Sequence, residues 1–142
     1  MKQEDKDLLL KDLCGRLPYG VKVQTTYINP RTKERKDIGT DVLSTVEISM
    51  LIDGYEEHKP YLFPLSSMTE EQWRELFEIA GYEEREEDCG RHTEIYYYDI
   101  VGHENTLHPN YNAIDWFNAH HFDYRGLIPM GLANDCTNLN IY

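Results

Sequence analysis

The sequence predicts an α+β fold, in which an antiparallel sheet of three to five strands packs against about three helices. Apolar residues recur at helical spacing in three separated segments, and stretches of alternating apolar and polar residues lie between them. The chain of 142 residues has no internal repeat and no shift in composition that marks a domain boundary. These observations predict a single domain over residues 1–142.

Helices are predicted near both ends of the chain. Leucines at every fourth position predict an amphipathic helix over residues 4–17, which Gly15 and Pro18 are expected to end: Leu9, Leu13 and Leu17. The last helix is expected to begin near Asn110 or Asn112 and to run to about Phe122, before Gly126 and Pro129 break the pattern.

The start of the middle helix has the clearest signal in the chain. Thr69 is followed three positions later by Gln72, which is the capping-box pattern of a helix N-terminus. Four apolar residues that follow recur at helical spacing, which predicts one buried face of the helix: Trp73, Leu76, Phe77 and Ala80. Gly81 is the expected C-terminal stop.

The region between the first and middle helices is predicted to be extended. Residues 21–28 alternate like a strand, and residues 42–52 place their apolar side chains on one parity, which predicts a second strand. Residues 29–41 would then be a long charged hairpin loop. Residues 58–64 are expected to be extended, with sheet pairing limited by Pro60 and Pro64.

The charge is strongly acidic, with a formal net charge of −12. The predicted acidic loop at 83–90 and strand at 94–101 lie in or beside the most acidic part of the chain. Such a field repels phosphate and anionic lipid, so direct binding to nucleic acid or membrane is not expected. One short stretch is basic, with Arg31, Lys33, Arg35 and Lys36. We interpret it as the solvated tip of a hairpin; the alternative is a contact with an acidic partner.

The three cysteines show no metal-binding or redox spacing: Cys14, Cys89 and Cys136. No apolar leader precedes the first helix, and no apolar run is long enough to span a membrane. We therefore expect a reduced, cytoplasmic protein.

The segment 113–128 concentrates the side chains with the most varied chemistry in the chain. Five of them are candidate binding residues: Trp116, His120, His121, Tyr124 and Arg125. We favour the interpretation that aromatic rings at helical spacing pack into the core while the histidines bond at its edge. The alternative is a pocket wall that stacks a planar ligand and binds its anionic groups.

No metal, cofactor or catalytic residue is predicted. Adjacent histidines on a helix diverge by about 100°, so His120 and His121 would seldom hold one ion. His103 and His108 lack the spacing of a helical ligand pair. Cys89 follows three acidic residues, which disfavour a thiolate nucleophile.

Three blocks of sequence resemble a group of small uncharacterised proteins from gut anaerobic bacteria and their phages and mobile elements. The blocks are Leu8–Gly20 (LLLKDLCGRLPYG), Lys59–Thr69 (KPYLFPLSSMT) and Asn118–Ile128 (NAHHFDYRGLI). The resemblance implies an intracellular bacterial or phage setting. It implies no activity and no catalytic role for any residue.

The expected function is that of a non-enzymatic intracellular protein that binds a protein partner, such as an accessory factor of a phage or mobile element. Abundant tyrosine, an acidic surface and the lack of a recognisable catalytic motif favour this hypothesis. Two alternatives stay open: a ligand-binding or catalytic pocket built on residues 116–125, and an acidic mimic of DNA built on residues 70–88.

Overall fold

The computed structural model describes residues 1–80 and 110–142. In these two ranges the chain forms four α-helices and four strands, which confirms the predicted α+β class. In chain order the elements are α1 (Gln3–Arg16), β1 (Lys22–Ile28), β2 (Arg35–Val42), α2 (Thr45–Asp53), β3 (Glu56–Leu62), α3 (Glu70–Ala80), α4 (Tyr111–Ala119) and β4 (Asn134–Asp135).

The strands form one sheet in the order β2-β1-β3-β4. β1 is antiparallel to both β2 and β3, whereas the short strand β4 runs parallel to β3. The sheet is therefore mixed, with antiparallel pairing over most of its area. Pro60 lies within β3 and pairs with Val23 of β1, while pairing with β4 begins only at the next residue, Tyr61.

The prediction of a strand over residues 42–52 was wrong, because residues 45–53 form helix α2. Ser44 and Glu47 form a capping box, in which the Ser44 hydroxyl accepts from Val46 N and the Glu47 carboxylate accepts from Ser44 N. Gly54, at φ 76°, closes the helix in the left-handed conformation that glycine adopts without strain.

The prediction of a loop over residues 29–41 was also wrong, since β2 occupies Arg35–Val42. Every residue of β2 is exposed, and the strand has no alternating apolar face that would reveal it in the sequence. The register with β1 shifts between Thr25 and Thr26, which pair with Gly39 and Asp37. Ile38 is thus the extra residue of a β-bulge, which increases the local twist at this edge.

Helices α1 and α3 are confirmed where the sequence placed them, although Gly15 lies inside α1 rather than ending it. At the start of α3, Thr69 N donates to Gln72 Oε1 over 2.9 Å and Gln72 N donates to Thr69 Oγ1 over 3.2 Å. Helix α4 is capped by Asn110, whose side chain accepts from Ala113 N, but it ends at Ala119 rather than near Phe122. The expected stop at Gly81, the acidic loop at 83–90 and the strand at 94–101 lie outside the described residues.

Among the described residues, most of the buried apolar side chains fall into two clusters. The first joins α1, α2 and the sheet: Leu9, Leu13, Val21, Val23, Leu43, Leu51, Leu62, Leu127, Leu132 and Ala133. The second joins α3, α4 and the segment after α4: Met68, Leu76, Phe77, Ala113, Trp116, Phe117, Phe122 and Tyr124. Residues 121–127 contribute to both clusters and thus link the two halves of the core. None of the helices in the described ranges is long and apolar enough to cross a membrane.

Candidate functional site

Two arginines converge on one buried carboxylate at the end of α1. Arg16 Nε lies 2.6 Å from Asp12 Oδ2, with both side chains fully buried, and Arg125 Nε lies 3.2 Å from Asp12 Oδ1. Arg16 Nη2 also donates to the carbonyl oxygen of Phe122 over 2.8 Å. This arrangement ties the first helix to the segment after α4. Removal of the carboxylate would leave two cations facing each other in a site shielded from water.

The ring of Tyr124 lies beside both guanidinium groups. The Cζ atom of Arg125 is 4.9 Å from the ring centroid, and the Cζ atom of Arg16 is 5.3 Å from it. The same ring stacks on Phe117 at 5.4 Å between centroids. Cation–π contact of this kind holds the guanidinium groups in place. Two predicted candidates, Tyr124 and Arg125, are therefore brought together, and their partners are within this chain.

Trp116 and His120 form a second pair. Their rings stack at 4.1 Å between centroids, and Trp116 also stacks on Phe122 at 5.7 Å. His120 Nδ1 lies 2.9 Å from the carbonyl oxygen of Trp116, one turn earlier, so the imidazole bonds to the end of its own helix. The contacts of these two candidates are those of packing and capping side chains.

The side chain of His121 has different contacts from that of His120, because the backbone of His121 is left-handed, with φ of 60°. Its ring stacks on Tyr142 at 4.0 Å between centroids. Burial, with smaller contributions from Arg16 and His120, lowers the pKa of His121 to about 4. The imidazole is therefore neutral at physiological pH, and its buried Nδ1 makes no hydrogen bond within the described ranges.

The five candidates of segment 113–128 thus divide into three sets rather than one. Tyr124 and Arg125 join the buried Asp12, Trp116 and His120 stack on each other, and His121 stacks on Tyr142. Sequence reasoning missed two members of the buried ion network, Asp12 and Arg16. Their spacing of four on the leucine side of α1 was a usable signal, since ionised residues on a buried stripe need partners.

A second feature, which the sequence did not suggest, is a groove between β2 and α2. It has a volume of about 190 Å³ and is lined by described residues from the sheet and the helix: Thr25, Ile38, Gly39, Thr40, Asp41, Val46, Glu47, Met50 and Glu56. We call these nine residues the groove surface. They could not be recognised in the sequence, because β2 was predicted as a loop and α2 as a strand.

Large apolar side chains lie exposed on and beside the groove surface. Val46 is 57% exposed and Ile38 is 54% exposed, and Val42 and Met50 are also exposed beside them. Scattered single apolar residues on a surface are ordinary, but several around one concave site characterise interaction surfaces.

The Glu47 carboxylate of the groove surface is stabilised in its charged form. Although burial raises the pKa of Glu47, hydrogen bonds from the Ser44 side chain and backbone outweigh it, and the pKa falls below its ordinary value. Beneath the groove, His58 is fully buried, with Nδ1 3.1 Å from Thr25 Oγ1 and Nε2 3.4 Å from Glu56 Oε2. Burial lowers the pKa of His58 and outweighs the nearby Glu56 and Glu47. The ring therefore does not neutralise these carboxylates at neutral pH.

Within residues 1–80 and 110–142, no cluster of three or more histidine, cysteine, aspartate or glutamate side chains is arranged to hold a metal ion. His103, His108 and Cys89 lie outside these ranges. Searches for similar proteins returned no matching protein family, no matching curated protein and no matching solved structure.

Proposed function

We propose that this protein acts by binding a protein partner through the groove surface, without catalysis, and that it does so in the cytoplasm. The observation that carries the proposal is the set of exposed apolar side chains around a concave site between β2 and α2. Leaving this apolar area in water has a free-energy cost, which a bound partner removes.

The shape of the groove surface favours a protein over a small molecule as the ligand. Its volume of about 190 Å³ is below the roughly 300–1,000 Å³ that is typical of small-molecule pockets. A site of this size accepts a single side chain, while the exposed apolar residues around it supply the additional contact area of a protein interface.

Segment 113–128 is a weaker candidate for the binding site than the groove surface. Arg125 is within ion-pair distance of Asp12, and the rings of Trp116 and His121 are stacked on other side chains of the chain. A ligand at these groups would have to displace contacts within the chain, among them the Arg125–Asp12 pair that joins the segment after α4 to α1. The alternative of a DNA mimic stays a hypothesis, since residues 81–88 of its acidic stretch lie outside the described ranges.

The test compares two helical positions of equal exposure. Met50 on the groove surface and Ile79 on α3 are both 37% exposed, so an arginine at either site should change stability by less than about 0.5 kcal/mol. Tagged wild-type, Met50→Arg and Ile79→Arg proteins are used to capture partners from an extract of the source organism. The captured protein is then purified, and its binding to each variant is measured by calorimetry.

We expect wild type and Ile79→Arg to bind the purified partner with equal affinity, and Met50→Arg to bind about a hundred-fold more weakly, as for a central interface residue. If all three proteins bind the partner equally, the groove surface is not the interface. If none retains a specific protein, the proposed function is wrong.

A further inference from the structure

We propose that the groove surface receives an arginine side chain, presented by the partner protein beside apolar residues. The inference rests on the proposed function and adds the chemistry of the partner to it.

The charge of the groove surface is complementary to a cation. Three of its nine residues are acidic, Asp41, Glu47 and Glu56, and none is basic. In the described part of the chain, none of these carboxylates forms an ion pair with a lysine or arginine, and the nearby His58 ring has a lowered pKa. Three like charges around one groove repel each other, and a bound cation relieves this repulsion.

The walls of the groove surface specify what kind of cation fits. Ile38, Val46 and Met50 line the same groove as the carboxylates, which suits a charged group on a long aliphatic stem. A metal ion does not match, because the acidic side chains are not placed to coordinate one. A guanidinium group is weakly hydrated and has five donors in a plane, so it can satisfy carboxylates on both sides of a groove better than an ammonium group.

The edge of the sheet does not offer the partner an easier route. The amide of Val42 donates to Asp41 Oδ1 over 2.7 Å, and that of Gly39 donates to Asp37 Oδ1 over 2.9 Å. Two amides of β2 are thus bonded by carboxylates of their own strand, which opposes the addition of another strand at this edge. The partner is therefore recognised through its side chains rather than by extending the sheet.

The experiment uses three acetylated, amidated pentapeptides that differ at one position: Ala-Leu-Arg-Leu-Ala, and the same peptide with citrulline or lysine in place of arginine. Citrulline has nearly the shape of arginine but no charge. Each peptide is titrated into the isotopically labelled, full-length protein, and amide chemical shifts report the site and the affinity. The titrations are repeated with Glu56→Gln and with the control Glu71→Gln, which removes an exposed charge on α3.

We expect the arginine peptide to shift the amide signals of Gly39, Thr40 and Val46, and to bind about ten-fold more tightly than the citrulline peptide. The lysine peptide should have an intermediate affinity. Glu56→Gln should weaken the arginine peptide about five-fold and leave the citrulline peptide unchanged, while Glu71→Gln should affect neither. Added salt should weaken binding of the arginine and lysine peptides but not of the citrulline peptide.

Three results would overturn the inference: equal affinities for arginine and citrulline peptides, shifts confined to another surface, or no shifts up to the solubility limit. Each can be told apart from failure of the proposed function. A partner that is lost by Met50→Arg, together with peptides that bind equally well, leaves the interface in place and removes only its preference for arginine.

Discussion

The phenol ring of Tyr142 stacks on the imidazole of His121, with 4.0 Å between ring centroids and 13° between ring planes. The Tyr142 hydroxyl accepts from Lys22 N and donates to the carbonyl oxygen of Tyr61, each over 2.9 Å. Burial raises the pKa of Tyr142 to about 12, so the hydroxyl remains a donor at physiological pH. One side chain therefore joins β1, β3 and the segment after α4.

Replacement of this side chain should separate its two contributions. Tyr142→Phe keeps the ring stacked and removes the hydroxyl, so the free energy of unfolding should fall by about 1 kcal/mol. Tyr142→Ala also removes the stacking on His121 and Phe63, and should lower it by about 2–3 kcal/mol. Urea unfolding with an unchanged m-value measures both. Equal stability of Tyr142→Phe and wild type would show that the two hydrogen bonds contribute nothing net.

Stability should fall in mild acid because of His121. Its pKa is about 4 in the folded protein and near 6.5 in the unfolded chain, so between these values the unfolded state binds more protons. The contribution is fully present above about pH 6.5 and is lost as the pH falls towards 4. Between pH 7 and pH 5, the free energy of unfolding should therefore decrease by about 1–2 kcal/mol from this group, after allowance for solvent screening.

The control for this pH effect is His121→Asn, since asparagine tolerates the left-handed backbone at φ 60° and does not titrate. Urea unfolding of both proteins at pH 7 and pH 5 isolates the histidine. A decrease of the same size in wild type and His121→Asn would assign the acid sensitivity to other groups.

Removing one charge of the buried ion network should lower the free energy of unfolding more than replacing the charged pair by apolar side chains. Asp12→Asn leaves Arg16 and Arg125 without their carboxylate, and should lower the free energy of unfolding by about 3–5 kcal/mol. Asp7→Asn, on an exposed position of the same helix, should change it by less than about 0.5 kcal/mol.

A double-mutant cycle tests the coupling within this network. The double variant Asp12→Leu with Arg16→Met replaces the pair by apolar groups. Its loss in the free energy of unfolding should therefore be smaller than the sum of the losses measured for Asp12→Leu and Arg16→Met alone. Additive losses would mean that Asp12 and Arg16 do not stabilise each other.

The cap of α2 gives a direct test of the corrected secondary structure. Ser44→Ala removes the hydroxyl that accepts from Val46 N and should lower the free energy of unfolding by about 1 kcal/mol. Ser44→Thr retains a capping oxygen and should lose less than half as much. Thermal unfolding followed by circular dichroism measures both losses, and equal losses would show that the cap is not formed in solution.

The elements that the sequence predicted correctly are those with local signals. The capping box of Thr69 and Gln72 placed the start of α3 at the observed residue. A similar pattern, Ser44 followed by Glu47, stands before α2, where the alternation of Val46, Ile48 and Met50 predicted a strand. The structure shows why alternation misled: Val46 and Met50 are exposed, so the pattern does not mark a buried strand face.

The chemistry of their side chains identified the candidate residues, but the sequence did not predict which residues they contact in the folded chain. Arg125 meets Asp12 across more than a hundred residues, and His121 meets Tyr142, which lies beyond the predicted segment. Long-range pairing of this kind leaves no periodic trace in a sequence. The groove surface was hidden for a related reason, since it exists only where β2 and α2 are placed side by side.

The hydrogen bond from Arg16 to the carbonyl oxygen of Phe122 spans 106 residues, and this separation has a consequence for biosynthesis. At about 5–20 residues per second, a ribosome needs roughly 5–20 s to extend the chain from the first residue to the second. During that interval α1 has emerged with an ionised arginine whose final acceptor does not yet exist. Until the segment after α4 has been made, Arg16 therefore has Asp12 but not the Phe122 carbonyl as a partner, while the leucine face of α1 can already pack against α2 and the sheet.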